Sequence, residues 1–207
     1  MPERAATPPG RAMRADARRN RDRIVAAAGT AVARHGAEAS LEEIARHAGV
    51  GSATLHRHFP SRQALLEAVF RDRVEALCAR ARELAAEPDP GAALISWLRA
   101  VGAHAVSNRG LGASLMRGTP DGDPTLGETC HTMIVSAGDA LLVRARDARA
   151  VRPGVTVTQL LTLVSAIALA TEQEPDGPAE ADRLLALVID GVRPREVPGS
   201  EPAGAAG

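Results

Sequence analysis

The chain has 207 residues, 45% of them hydrophobic, with 25 basic and 25 acidic side chains and no net charge. That length allows one or two domains around a sizeable core, and the lack of any run of about 18 apolar residues excludes a membrane-spanning helix. The balance hides an asymmetry: residues 1–62 carry a net charge of +5 and residues 63–207 a net charge of −5, which fits a nucleic-acid-binding module joined to a different one.

Residues 1–14, rich in Pro, Gly and Arg, read as a disordered basic tail. They hold no apolar core of a signal peptide, so a cytoplasmic protein is expected. Residues 15–35 read as a helix with the stripe Ile24, Val25, Ala28, Ala31 and Val32. Arg18, Arg19, Arg21 and Arg23 crowd its start, where proximity to phosphate is expected, and His35-Gly36 closes it.

From Ser40 to Arg62 the chain reads as two short helices and a tight turn. Ser40 is the expected cap of the first, with Glu43 three residues on completing a capping box. Leu41, Ile44, Ala45 and Ala48 give that helix an apolar face. Gly49 is placed to end it in the left-handed conformation. Gly51 opens the second helix and Pro60 stops it. Such a pair is a helix-turn-helix, whose second helix enters the DNA major groove.

At about 100° per residue, Leu55 and Phe59 define the buried side of the second helix. Ala53 and Arg57 then occupy the opposite pole, and Thr54, His56 and His58 the flanks. A helix in a groove turns its pole to base edges and its flanks to the phosphate walls. Arg57 is therefore the candidate for reading guanine and Ala53 for a thymine methyl. Thr54, His56, His58 and Arg62 are candidates for phosphate contact, which positions without specifying. Gly51 and Ser52 complete the expected DNA-facing set at the helix start. His56 and His58 point about 200° apart on a helix and are not a metal pair.

This stretch resembles the DNA-binding domain of the TetR family of bacterial transcription repressors. Thr54-Leu55-His56-Arg57-His58-Phe59 is similar to the family's Thr-Leu-Tyr-aromatic/His-His/Tyr-Phe. Residues 41–50 are similar to the family's first motif helix. The close resemblance covers about residues 15–70. It implies phosphate contacts from Ser40, Thr54, His56, His58 and Arg62, and groove contacts from Ala53 and Arg57. His56 stands where the family usually has Tyr, and Gly51 where Ser or Thr often caps.

Residues 61–86 read as one long helix capped by Ser61. Pro88 to Gly91 is a break, followed by a helix over about 92–107 with Trp97, Val101 and His104 near one line. Leu111 to Met116 reads as a short helical piece and Gly118 to Pro124 as a loop. Asp123-Pro124 opens a helix to about Ala150. Thr156 or Thr158 caps the next, Gln159 to about Thr171, which is apolar nearly all round. The last helix covers about 179–192, and residues 193–207 read as a disordered tail.

No strand pattern is present, so the expected fold is all-α. It comprises a helix-turn-helix DNA-binding domain (15–62) and a helical ligand-binding and dimerisation domain (63–192), linked through helix 61–86. A helix without a polar face, next to another rich in Leu, points to an interface beyond the monomer. The family pattern, in which the last two helices of each subunit form a four-helix dimer interface, assigns Leu163, Ile167, Leu184 and Val188 to it.

Trp97, His104, Met116, Cys130, Met133, Ile134 and Ala137 are the candidates for an effector pocket. Met is adaptable, and Trp and His offer polar handles in an apolar wall. One Trp, two Phe and no Tyr in the chain exclude a large aromatic-lined one. Cys78 and Cys130 are far apart in sequence and are expected to be buried free thiols. No cofactor-binding, metal-binding or catalytic motif appears.

The expected function is a homodimeric repressor that a small apolar or amphipathic molecule releases from a palindromic operator. The alternatives are a ligand-insensitive DNA-binding module, an activator and, from a different class, a helical enzyme using Cys130 or His131.

Overall fold

The computed structural model describes residues 9–107, 123, 125–171 and 174–193. They form α-helices and one short 3-10 turn, with no strand among the described residues. The all-α expectation holds. None of the described helices is long and apolar enough to cross a membrane.

Helix α1 runs Pro9–His35, so it begins six residues before the start expected at Ala15. The reason lies in its first residues: Pro suits a helix's first position, and the Arg, Ala and Met that follow are strong helix formers. A 3-10 turn, Gly36–Glu38, follows. It was not legible in the sequence because Gly36, at φ 69°, looks only like a helix stop.

Helix α2 is Leu41–Ala48 and α3 is Ser52–His58. Ser40 caps α2 by accepting from the Glu43 backbone N–H at 3.4 Å. The expected box is one-sided, because the Glu43 carboxylate lies 3.9 Å from Arg46. Gly49 is left-handed, at φ 63°. The backbone bonds Val50 to Ala45 and Gly49 to Arg46 complete a Schellman cap.

Helix α4 is Arg62–Leu84, entered through Ser61, whose hydroxyl accepts from the Ala64 N–H at 3.1 Å. Helix α5 is Pro90–Ser107. The Pro88–Gly91 segment is therefore more than a break: the Asp89 carboxylate accepts from the Ala92 N–H at 3.0 Å, with Pro90 at the first helical position. Helix α6 is Leu126–Asp147, which starts just past the expected Asp123-Pro124 opening and ends three residues before the expected Ala150. It ends in a turn that puts Arg149 at φ 54°, where glycine is usual. Helix α7, Val157–Ala170, has the full capping box between Thr156 and Gln159. Helix α8 is Gly177–Val192, entered where a Cβ on Gly177 would run into the Thr171 carbonyl. The expected piece Leu111–Met116, most of the 118–124 loop and the tail beyond Arg193 lie outside the described residues.

The chain divides into two compact units: Met1–Ala79 with Ala103–Ile134, and Arg80–Gly102 with Val135–Gly207. The unit that carries the helix-turn-helix thus also takes in residues 103–134. Its main core joins Ile24, Ala28 and Val32 of α1 to Ile44 and Ala48 of α2, Leu55 of α3, Phe59, and Leu65, Leu66 and Val69 of α4. In the other unit Trp97 is fully buried. A Cβ on Gly138 would stand 2.5–2.6 Å from the Trp97 ring and from a Val157 methyl, so the bare backbone at 138 is what admits the indole. The Leu160, Leu161 and Val164 side chains of α7 and the Leu185 and Ile189 side chains of α8 are buried.

Candidate DNA-reading surface and effector cluster

The reading surface is built outward from the first core. Leu55 and Phe59 are buried, which fixes the rotation of α3. Ser52, Ala53, His56 and Arg57 are consequently exposed, and Thr54 and His58 half-buried. Ala53 and Arg57 face outward as the helical wheel expects, and Thr54 and His58 are flanks, whereas His56, expected on a flank, is as exposed as the pole. Gly51 supplies no side-chain cap; its carbonyl accepts from the N–H groups of Thr54 and Leu55 at 2.9 and 3.1 Å. Ser40 is exposed beside its cap bond.

Several arginines expected near phosphate also have partners inside the unit. Arg62 donates from one terminal nitrogen to the carbonyls of Ala37 and Ala39, at 3.0 and 2.6 Å. It therefore ties the start of α4 to the segment before α2. Arg21 lies over the Phe59 ring, 5.5 Å from its centre. Arg19 pairs with Asp16. Arg23 donates to the carbonyl of Ala48 and, at 3.2 Å, to that of Gly49. Sequence reasoning counted these charges without seeing such bonds, because carbonyl acceptors at a turn leave no mark in residue types.

A second cluster in the same unit gathers effector candidates. Val74, Leu126 and Cys130 are buried together, with Phe70, Cys78, Met133 and Ile134 packed against them. The His104 ring lies 5.9 Å from Phe70, centre to centre. Its pKa is pushed down to about 4 by burial and by the neighbouring Arg73 charge, so it is neutral near pH 7. Arg73 in turn donates to the Gly29 carbonyl of α1 at 2.7 Å. Arg71 pairs with Asp123 at 3.4 Å. The Glu67 carboxylate accepts from Gln63 and from the Asp123 N–H, both at 3.0 Å. Through these contacts α4 touches both α1 and the entry to α6.

The other effector candidates fall elsewhere. Trp97 and Ala137 belong to the second compact unit, and Met116 lies outside the described residues. Cys78 and Cys130, distant in sequence, share one cluster as free thiols. Cys130 is buried but Cys78 is only half-buried, its thiol donating to the Met133 carbonyl at 3.6 Å. Burial pushes the Cys130 thiol up, and the adjacent His131 is exposed. That arrangement is the reverse of an activated thiolate–imidazole pair.

Among the dimer candidates, Leu163 is 42% exposed, while Ile167, Leu184 and Val188 are half-buried. Leu169 and Leu187 are each 69% exposed. Sequence reasoning did not single out those two for the interface; the signal was the missing polar face of α7 and the Leu content of α8.

Comparison with known proteins fits this geometry. Residues 23–69 match the model of the tetR family of bacterial regulatory proteins. Residues 89–194 match the C-terminal domain of SbtR-like transcriptional regulators. A TetR transcriptional regulator from Streptomyces coelicolor is 40% identical, at TM-score 0.75, with 85% of this chain and 99% of that one covered.

The chain belongs to the TetR family.

A second TetR regulatory protein, from Mycobacterium vanbaalenii, is 32% identical at TM-score 0.68, covering 87% of this chain and 99% of that one. The transcriptional regulator FadR from Bacillus subtilis, solved with stearoyl-CoA, is 16% identical at TM-score 0.57, covering 83% and 99%, and shares the fold. No curated protein matches the chain. As a TetR-family transcriptional regulator, it carries its DNA-binding helix-turn-helix in α2 and α3.

Proposed function

We propose that this TetR-family regulator is a homodimeric repressor, released from a palindromic operator by a small apolar or amphipathic effector. The observation that carries this reading is the rotation of α3. Burial of Leu55 and Phe59 leaves Ala53 and Arg57 facing outward. Arg57 reads a guanine through its two-pronged guanidinium and Ala53 meets a thymine methyl. Ser40, Gly51, Ser52, Thr54, His56, His58 and Arg62 line the phosphate walls, with one nitrogen of Arg62 already bonded within the protein.

Two such heads engage successive major grooves about 34 Å apart. Dimerisation through α7 and α8, with Leu163, Ile167, Leu184 and Val188, sets that spacing. The effector enters the cluster of His104, Cys130, Met133 and Ile134, where the imidazole is neutral and its neighbours are largely apolar. It shifts the dimer only by binding one of its two states more tightly.

Selection of binding sites from a random duplex pool tests this reading. The expected product is a palindrome with half-sites about one and a half to two turns apart. Recovery of a single unrepeated site would argue against paired heads.

A further inference from the structure

The turn between α2 and α3 fixes the direction in which the reading helix leaves, and its backbone is nearly fully bonded. The last carbonyls of a helix lack partners within it. The Schellman cap satisfies two of them, on Ala45 and Arg46. Arg23 takes the carbonyls of Ala48 and Gly49 through a single nitrogen, Nη2. A cation suits this spot, where the carbonyl end of the helix dipole is negative.

Gly49 makes the fit possible twice over. Its φ of 63° closes the helix, and a Cβ there would stand 2.5 Å from the Arg23 Nη2. The chain bonds resume at once. The Gly51 carbonyl accepts from the Thr54 and Leu55 amides of α3, so only Val50 and the cap residue Gly51 separate the held carbonyls from the reading helix. The other end of the link is firm, because Ile24, next to Arg23, is fully buried.

We propose that Arg23 is a positioning residue for DNA reading: it pins the α2–α3 turn to α1, and so aims Ala53 and Arg57, rather than adding a phosphate contact. The inference rests on α3 being the reading helix. Its charge is spent on two carbonyls, and what it supplies to DNA binding is direction.

The two roles leave different signatures. A phosphate contact strengthens operator and unrelated DNA alike, and its loss flattens the salt dependence by about 0.9 per contact. A positioning residue changes specific binding and leaves the salt slope alone. The probes are the duplex recovered by site selection and a scrambled duplex of equal length, titrated with full-length Arg23→Ala and Arg23→Lys over a range of salt. For Arg23→Ala, operator affinity is expected to fall about fivefold or more, as when one two-pronged base contact is misplaced. Scrambled-duplex affinity and salt slope are expected to stay near native. Arg23→Lys, which keeps the charge but ends its donor one bond nearer the main chain and so short of the two carbonyls, is expected to show the same loss and serves if the alanine variant does not fold.

Equal losses on both duplexes with a flatter slope, full rescue by Lys, or no loss at all would each overturn the proposal. Hydrogen exchange in the free protein gives a readout without DNA. The Phe59 amide, bonded to the Leu55 carbonyl at 2.8 Å, is expected to exchange faster in Arg23→Ala, and native protection there would also count against the role. If site selection yields no operator, the repressor reading fails while the exchange result still decides whether Arg23 holds α3.

Discussion

Arg57 and His104 show what a single side chain does in each half of this unit. Arg57 stands on the exposed pole of α3 because its neighbours Leu55 and Phe59 are in the core. Arg57→Ala is expected to cost about 1–3 kcal/mol per half-site and to relax preference at one base pair, measured on operators varied base by base. A uniform loss across all sequences would make Arg57 a phosphate contact instead.

His104 is argued from its folded pKa of about 4 against an ordinary 6.5. Between those values the unfolded chain binds the extra proton and the folded chain does not. Stability is therefore fully present above about pH 6.5 and is lost as pH falls toward about 4. Urea midpoints over that window should drop in the native protein and drop less in His104→Phe. Parallel curves for the two proteins would place the pH sensitivity on another group.

At the scale of the element, the helices owe their ends to local chemistry and their seating to close approach. The hydroxyl of Ser40 satisfies an amide at the start of α2, and Ser40→Ala should cost about 1 kcal/mol of stability, read from thermal or urea unfolding. Gly138 is different, since nothing local requires it. A methyl there would meet the Trp97 ring and Val157 at 2.5–2.6 Å. Gly138→Ala should therefore destabilise by about 1–3 kcal/mol through overpacking. The only Trp in the chain is Trp97 itself, so its fluorescence follows the unfolding directly. A second change, Trp97→Leu, followed by circular dichroism because it removes that fluorophore, should recover part of the loss; strict additivity of the two would deny the contact.

For the whole molecule, the exposed apolar side chains of α7 and α8 are the feature that dimerisation would use. Leu163, Leu169 and Leu187 lie exposed on the single chain, whereas Leu160, Val164, Leu185 and Ile189 on the same helices are buried within it. A charge at an exposed position spares the monomer core but is costly once a partner covers it. Leu163→Glu and Leu187→Glu are expected to give folded monomers by light scattering and circular dichroism, with weakened operator binding. A folded dimer in both variants would move the interface elsewhere.

The sequence by itself determined what depends on neighbours in the chain. The periodicity of Leu55 and Phe59, the Ser40 cap, the Gly49 stop and the basic amino-terminal part made the all-α fold and the reading helix legible, and narrowed the α7 cap to Thr156 or Thr158. It fell short even locally at Asp89-Pro90, which repeats the Asp-Pro start recognised at Asp123 yet read as a break. Tertiary structure alone decided the rest. It brought Cys78 and Cys130 into one cluster, set His104 beside Arg73, put the Trp97 indole against bare backbone at Gly138, and turned Arg23 and Arg62 onto carbonyls. The physical reason is that a backbone carbonyl looks the same in every residue, and a partner across the core has no fixed spacing along the chain. Caps and stripes are written within a few residues, whereas those pairings exist only once the helices have packed.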